Sequence, residues 1–250
     1  MPLANQVAVV TGASSGIGGA LAEELARRGC RLGLIARRRD LLDQLAGKLR
    51  GTGAVAEVAA ADVADRDRLL AAFAELRQKL GPVDVLVANA GVNTPAVLEP
   101  MNVPGQLALL RVNLFGVIVA VEAVLPDMLA RRSGRIAAVS SLGAYKGLPG
   151  AGAYCASKAA VNVYLEALRI QLRGRGVSVT TLCPGFVRTP MVADNPHPMP
   201  FLLEPADAAR RMVRAVERRA KVYDFPWRMA ALMRVVRWLP DWVVARVVRE

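Results

Sequence analysis

Residues 7–28 read VAVVTGASSGIGGALAEELARR, and this stretch decides the fold class. The apolar run at 7–10 predicts a buried strand, the glycines after it predict a tight turn, and residues 19–28 have the composition of a helix. Glycines permit close backbone approach, and a helix N-terminus offers free N–H groups with partial positive charge. A strand, a glycine-rich turn and a helix in this order are the arrangement that holds a dinucleotide pyrophosphate.

The glycines of this turn follow the spacing GxxxGxG, whereas GxGxxG is the commoner spacing of dinucleotide sites. The turn alone therefore leaves a second interpretation open, a strand-to-helix connection that binds no ligand. If the turn binds a dinucleotide, we expect contacts from Gly12, Ser14, Ser15, Gly16, Ile17 and Gly18.

A second apolar run, residues 32–36, predicts the next strand, and three arginines follow it directly. In NAD sites an acidic residue at the end of this strand bonds the ribose hydroxyls, but no carboxylate stands there in this chain. Guanidinium groups bind phosphate in a bidentate manner, so the cluster favours NADP(H) over NAD(H) as the cofactor. Arg37 is the first candidate for the phosphate contact and Arg38 the second. The alternative is that the arginines are the solvated start of a helix, with Asp40 in its first turn.

Tyr154 and Lys158 stand four residues apart, and Ser141 precedes the tyrosine by thirteen residues. Positions i and i+4 of a helix share one face, so the phenol and the ammonium are expected side by side. A free phenol has a pKa of about 10 and is a poor base at neutral pH. We predict that Lys158 lowers the pKa of Tyr154, which would let the tyrosine exchange a proton with an alcohol or a ketone. With a hydride carrier bound, this is redox chemistry at a C–OH/C=O carbon.

Taken in order, these motifs resemble the short-chain dehydrogenase/reductase family in its compact form. The resemblance runs from residue 7 to about residue 207. The motifs are the TGASSGIG turn, Asp62-Val63, Asn89-Ala90-Gly91, Asn113, Ser141, Tyr154-x-x-x-Lys158 and Pro184-Gly185.

The resemblance implies cofactor contacts beyond the glycine-rich turn. Asp62 and Val63 would contact the adenine ring. A structural turn beside the cofactor would be formed by Asn89, Ala90 and Gly91. The nicotinamide carboxamide would be bound, and the ring oriented, by Pro184, Gly185, Val187 and Thr189.

The resemblance also implies the catalytic set. Asn113 would act in a proton relay, and Ser141 would fix the substrate oxygen, with its neighbour Ser140 as the alternative. Lys158 would bind the nicotinamide ribose as well as act on Tyr154, so both residues belong to the cofactor site too. No metal ion is needed for this chemistry.

Strand-like runs alternate with helical patterns along the whole chain, which predicts right-handed βαβ crossovers and a parallel sheet. The predicted strands are residues 7–10, 32–36, 55–59, 83–88, 135–140, 177–182 and 221–225. The expected fold is α/β, a single Rossmann-like doubly wound sheet of order 3-2-1-4-5-6-7 with helices on both faces. We assign residues 1–225 to this domain and residues 226–250 to an amphipathic C-terminal helical extension.

Residues 190–204 fall where the family places a loop that covers the substrate. Its apolar members are Met191, Val192, Met199, Phe201, Leu202 and Leu203, which indicates a lipophilic substrate. His197, the single histidine, is expected to be solvated in this loop.

The C-terminal extension allows two interpretations. It is either a helix packed on the body, over the pocket or a subunit interface, or a basic amphipathic helix on an anionic membrane. In the second case Trp227, Trp238 and Trp242 would lie at the headgroup level, while Arg234 and Arg237 argue against a spanning helix.

Composition limits the remaining classes. The net charge is +12, yet no basic stripe with interleaved aromatics predicts nucleic-acid binding. The three cysteines are widely spaced, which favours reduced thiols and a cytoplasmic location over a zinc site. The N-terminus has no signal-peptide pattern, and the apolar residues 112–125 are interrupted by Asn113 and Glu122, so we expect a buried helix there.

The sequence therefore predicts an NADP(H)-dependent oxidoreductase that interconverts a lipophilic ketone and a secondary alcohol. The alternatives are an NAD-linked alcohol dehydrogenase and a non-catalytic dinucleotide sensor or scaffold. The resemblance implies a homodimer or homotetramer formed through the helices that carry Asn113 and Tyr154. If the extension binds lipid, the protein lies on the inner face of a membrane.

Overall fold

Seven strands form one parallel sheet in the order β3-β2-β1-β4-β5-β6-β7, in a computed structural model that describes residues 3–94, 98–193, 195 and 198–247. The strands are β1 Val7–Thr11, β2 Arg31–Ala36, β3 Ala56–Ala60, β4 Val85–Ala88, β5 Gly134–Val139, β6 Val177–Pro184 and β7 Val222–Phe225. All six neighbouring pairs run parallel. The predicted fold class and strand order are confirmed. His197 lies outside the described residues.

Helices connect successive strands. They are α1 Gly16–Arg27, α2 Arg39–Arg50, α3 Arg66–Leu80, α4 Val103–Leu110, α5 Gly116–Ala130, α6 Gly152–Gln171, α7 Pro205–Glu217, α8 Trp227–Val236 and α9 Asp241–Val247. A π-helical segment, Arg111–Phe115, joins α4 to α5, and 3-10 turns cover Leu142–Tyr145 and Pro190–Val192.

The core has two layers, one on each face of the sheet. Alternate residues of a strand face opposite sides, so Ala8 and Val10 lie in the layer with α1, α2 and α7. Val7 and Val9 lie in the layer with α3, α5 and α6. This two-sided burial explains why the strands appear in the sequence as continuous apolar runs.

The strand ends differ from the predicted ones by one or two residues. β4 begins at Val85 rather than at residue 83, and the carboxylate of Asp84, directly before it, accepts the N–H of Val7 at 2.9 Å. β6 continues to Pro184, which pairs with Phe225 of β7. The extension brings the Pro184-Gly185 motif to the carboxyl edge of the sheet.

Among the described residues, one helical stretch is long and apolar enough to cross a membrane by length and composition alone. It is Val103–Ala130, with a mean hydropathy of 2.1. Core helices pass the same criterion, and α5 buries Val117, Val121 and Val124 in the second core layer. The stretch also contains the buried amide of Asn113.

The C-terminal extension packs on the body through one face of α8. Ala230 and Met233 are buried against Leu142 and Cys183. The inner face of α8 therefore fits the interpretation of a packed helix. The predicted boundary after residue 225 coincides with the end of β7, and residues 248–250 lie outside the described part of the chain.

Candidate active site

The glycine-rich turn approaches its neighbours too closely for side chains. Gly12 and Gly16 have φ angles of 68° and 57°, in the left-handed region that favours glycine. Ser15 precedes α1 and makes no side-chain bond to it, so the first-turn N–H groups are available to an anion. The turn therefore fits a dinucleotide pyrophosphate.

Asn89 supports this turn from the end of β4. Its Nδ2 donates to the carbonyl oxygens of Thr11 and Gly12 at 3.0 and 3.3 Å. In return, Thr11 Oγ1 accepts the N–H groups of Asn89 and Ala90 at 3.1 and 3.2 Å. Sequence reasoning missed Thr11, although it is the first residue of the TGASSGIG motif. These contacts hold the glycine-rich turn against the end of β4.

The two arginines predicted to bind phosphate differ in placement. Arg38 reaches back to the glycine-rich turn and donates to the hydroxyls of Ser14 and Ser15 at 3.0 and 2.8 Å. Arg37 is exposed and lies 3.8 Å from a carboxylate oxygen of Asp62. Both guanidiniums stand at the end of β2, but Arg38 is the one that contacts the turn.

The predicted adenine contacts are divided between two environments. The Asp62 carboxylate accepts the N–H of Ala64 at 3.0 Å and stays partly exposed. The side chain of Val63 is buried against Gly116, where an added Cβ would lie 2.8 Å from Val63 Cγ2. A contact from Val63 to an adenine ring would therefore use its backbone.

Ser141, Tyr154 and Lys158 meet at the carboxyl end of β5. A hydrogen bond joins the side chains of Ser141 and Tyr154. The buried Nζ of Lys158 donates to the carbonyl oxygen of Val139 at 2.9 Å and lies 5.8 Å from the centroid of the Tyr154 ring. The alternative serine, Ser140, is buried and donates to the carbonyl oxygen of Lys158. The geometry therefore favours Ser141 as the partner of the tyrosine.

The prediction that Lys158 lowers the pKa of Tyr154 is wrong for the chain by itself. Burial raises the pKa of Tyr154, and the hydrogen bond from Ser141 offsets this only in part. The ammonium is directed at a carbonyl oxygen instead of the phenol, and burial lowers the pKa of Lys158 itself to about 8. Desolvation disfavours the phenolate and is the largest cause of the raised pKa of Tyr154.

Asn113 lies in the π-helical segment and is fully buried. Its Oδ1 accepts the N–H of Val92 at 2.8 Å, and its Nδ2 donates to Val92 O at 3.0 Å and to Ser157 Oγ at 3.1 Å. Ser157 in turn donates to the carbonyl oxygen of Tyr154 at 2.7 Å. Sequence reasoning missed Ser157, which the helical spacing i+3 from Tyr154 would have placed near the site.

Gly91 lies between Asn113 and Lys158. A Cβ at this position would lie 3.4 Å from Asn113 Oδ1 and 3.4 Å from Lys158 Nζ. The missing side chain leaves both polar groups facing one small space at the end of β4. The structure thus brings all four predicted catalytic residues to one edge of the sheet.

The predicted nicotinamide segment borders the same edge. A Cβ on Gly16 would lie 3.1 Å from Thr189 Cγ2, so this segment touches the glycine-rich turn. Gly185 lies against Pro226 and Met229 of the C-terminal extension. Val187 forms a bridge with Leu203, which closes the neck of the predicted lid. The assignment of these residues to cofactor contacts stays a prediction.

Within the described ranges, His, Cys, Asp and Glu side chains form no group of three that could hold a metal ion. The cysteines Cys30, Cys155 and Cys183 are all buried and free.

Burial of the Lys158 ammonium should cost the folded chain stability. A pKa of about 8 against the ordinary 10.5 corresponds to a penalty on the order of 3 kcal/mol. The penalty is complete below pH 8. It fades between pH 8 and 10.5, because Lys158 is then neutral in the folded chain and removing its proton from the unfolded chain costs less as the pH rises. We therefore expect Lys158→Met to raise the free energy of unfolding at pH 7 by about 1–2 kcal/mol.

Denaturant unfolding of the cofactor-free protein at pH 7 and pH 10 measures this effect. The stability gap between Lys158→Met and the unmodified protein should narrow as the pH rises. Lys221→Met is the matched control because Lys221 is exposed, and it should show no such gap. A Lys158→Met protein less stable than the parent at pH 7 would contradict the expectation.

Comparison with known proteins places this geometry in a family. The family profile described as "short chain dehydrogenase" matches residues 6–199. An oxidoreductase of Myxococcus xanthus is 39% identical over 236 residues, which cover 94% of this chain and 93% of that protein. A short-chain dehydrogenase/reductase from Burkholderia phymatum, solved with NAD, has a TM-score of 0.87 at 27% identity, covering 94% of this chain and 93% of that one. A variant of the actinorhodin polyketide ketoreductase, solved with NADPH, has a TM-score of 0.83 at 29% identity, covering 90% and 97%. The chain belongs to the short-chain dehydrogenase/reductase family of oxidoreductases.

Proposed function

We propose that this oxidoreductase uses NADP(H) to interconvert a ketone and a secondary alcohol, with Tyr154 as general acid and base. The observation that carries the proposal is the meeting of Ser141, Tyr154 and Lys158 at the sheet edge that also holds the glycine-rich turn. Similar structures were solved with NAD and with NADPH, which supports a nicotinamide dinucleotide as the cofactor class. The ketoreductase among them supports a carbonyl substrate.

The residues of this chain divide the work at the carbonyl group. When bound, the cofactor supplies the hydride. Ser141 and Tyr154 donate hydrogen bonds to the carbonyl oxygen as negative charge develops on it, and the tyrosine delivers a proton. The raised pKa keeps the phenol protonated at neutral pH, which suits the reductive direction.

The groups behind the tyrosine hold it in place and replace its proton. Asn113 fixes Ser157, which bonds the backbone of Tyr154, so the helix turn that carries the phenol is tied to the π-helical segment. Lys158 and Asn113 face the same space at Gly91. We infer that proton replacement runs through this space, as the family resemblance implies.

The lid supports a lipophilic substrate. Met191 and Phe201 are apolar lid residues that remain exposed, so their surfaces are available to a ligand. The direct test adds NADPH or NADH to the purified protein with a panel of lipophilic ketones. Oxidation of the cofactor is followed by the loss of the reduced nicotinamide's absorbance at about 340 nm. Faster oxidation of NADPH than of NADH would support the proposal. Cofactor binding without turnover of any ketone would favour a non-catalytic sensor instead.

The arginine cluster should set the cofactor preference. We expect Arg38→Ala and Arg37→Ala each to weaken NADP+ binding by about 10- to 100-fold, the value of one charge-assisted hydrogen bond. In Arg37→Ala, NAD+ binding should change little, since NAD+ lacks the extra phosphate. Arg38→Ala also removes the bonds to Ser14 and Ser15, so it should weaken NAD+ binding too, but less than NADP+ binding. Fluorescence or calorimetric titration with both cofactors measures the two affinities.

Arg39→Ala is the matched control for this experiment. Arg39 adjoins the other two in sequence, but its guanidinium pairs with Asp43 of α2 at 3.0 Å and is not directed at the turn. Its loss should leave both affinities unchanged. Equal losses of NADP+ and NAD+ affinity in Arg38→Ala would remove the basis for NADP(H) preference.

We also propose a homo-oligomer. Apolar side chains are exposed on the helices that carry Asn113 and Tyr154: Leu107, Phe115, Val163 and Ile170. Exposed patches of this kind mark interaction sites in soluble folds. Light scattering of the purified protein measures the mass, and a monomer at all concentrations would contradict the proposal.

A further inference from the structure

The C-terminal extension exposes large apolar side chains to solvent. Its aromatic members are Trp227, Trp238 and Trp242, which are 72%, 82% and 67% exposed. Leu232 and Val235 of α8 are exposed as well. We call these five residues, together with Arg228 and Arg237, the C-terminal surface. Single exposed apolar residues are ordinary, but a concentration of tryptophan at the surface marks an interaction site.

The charges of this segment are almost all positive. Residues 227–247 contain four arginines and one aspartate. The aspartate, Asp241, is bound by Lys146 at 2.9 Å. The guanidiniums of Arg228 and Arg237 lie over the rings of Trp227 and Trp238, at 5.4 and 5.5 Å from their centroids.

These two arginines form no ion pair with any residue in the described part of the chain. By contrast, Arg234 pairs with Asp224 at 3.0 Å and thereby fixes α8 to β7. The surface thus combines a fixed helix, indole rings and uncompensated guanidiniums. Tryptophan and arginine together are the composition that lies in the headgroup region of a bilayer.

The C-terminal surface adjoins the substrate lid. The guanidinium of Arg228 also lies 5.9 Å from the ring centroid of Phe201, an exposed lid residue. Arg228 therefore contacts an aromatic ring of the lid and one of α8. A ligand bound at Trp227 and Arg228 would therefore lie beside Phe201 of the lid.

We propose that the C-terminal surface binds the headgroup region of an anionic lipid bilayer. A two-fold interface between copies would bring each patch against itself, so unpaired arginines would face arginines. An anionic bilayer provides the opposite charge, and each arginine near it adds to the attraction. If the proposed function holds, a lipophilic ketone or alcohol would reach the lid directly from the bilayer.

All three tryptophans of the chain lie in this surface, so tryptophan emission reports on it alone. We expect the full-length protein to show a shift of emission to shorter wavelength with vesicles of phosphatidylglycerol and phosphatidylcholine. Phosphatidylcholine alone should give little shift, and salt should reverse the shift. Brominated lipids should quench the emission if the indoles enter the headgroup region.

A charge-reversal pair provides the matched control. Arg228→Glu/Arg237→Glu should lower the vesicle partition coefficient by about tenfold or more. Arg173→Glu/Arg175→Glu makes the same change in net charge at exposed positions after α6 and should lower it much less. Equal losses in the two pairs would show general charge attraction and overturn the proposal.

Two further results would also overturn it. One is the absence of any emission shift with anionic vesicles. The other is a shift that appears without lipid as the protein concentration rises, which would assign the surface to a second copy of the chain. The experiment needs no turnover, so a failure to bind vesicles would leave the proposed function untouched. A protein that binds vesicles but turns over no ketone would support the bilayer proposal and contradict the proposed function.

Discussion

Replacing Tyr154 by phenylalanine should reduce ketone turnover by about 10²- to 10⁴-fold, the usual contribution of a positioned general acid. The phenol is the group that the site places beside Ser141 to protonate the substrate oxygen. The variant keeps the ring and loses the single atom that carries the proton. NADPH affinity should fall little, because the ring and the Lys158 ammonium remain in place. Steady-state rates with the best ketone of the panel, together with cofactor titration, measure both quantities.

Tyr164→Phe is the matched control for this substitution. Tyr164 lies ten residues further along the same helix, α6, and packs against the second core layer. The same loss of a hydroxyl there should leave turnover within about twofold of the parent, as for substitutions away from the site. If Tyr154→Phe kept more than a tenth of the parent rate, the phenol would not be the proton donor.

The strand–turn–helix unit at residues 7–28 could be predicted because its signals are local. An apolar run, glycine spacing and helix formers all act within one stretch of chain. The meeting of Ser141 and Tyr154 could also be predicted, since a short connection leads from the carboxyl end of β5 into α6. The family motifs then supplied the partners from distant segments.

The sequence could not predict quantities that depend on burial. The pKa of Tyr154 is decided by how completely the surrounding chain excludes water, and four-residue spacing alone suggested the opposite direction. The roles of Arg37 and Arg38 depend on how the chain leaves β2. Adjacent residues diverge there, and only Arg38 returns to the glycine-rich turn.

The C-terminal extension shows a similar limit. Its pattern supported both a packed helix and a membrane-binding helix, because one amphipathic helix has a face for each. Contacts from Leu142 and Cys183 determine that Ala230 and Met233 face inward. The tertiary contacts thus separate the two faces, and they leave the tryptophans outside.

Gly18→Ala should weaken cofactor binding without touching any catalytic group. A Cβ on Gly18 would overlap the carbonyl oxygen of Gly12 and lie 2.6 Å from Nδ2 of Asn89. Neither neighbour can give way freely, because the first is backbone and the second bonds Thr11 and Gly12. The clash should cost about 1–3 kcal/mol of folding stability, the usual result of overpacking.

The larger effect should be on binding. Displacing the turn misaligns N–H groups that would bond the pyrophosphate, and losing one such charged hydrogen bond weakens binding by about 10- to 100-fold. Gly19→Ala is the control, since its Cβ would meet only Ala13 O at an ordinary 3.5 Å. Alanine inside a helix should then raise stability by about 0.5–1 kcal/mol and leave cofactor affinity unchanged. Thermal unfolding and cofactor titration of both variants decide the matter: similar behaviour of the two alanines would mean that close packing at Gly18 does not shape the site.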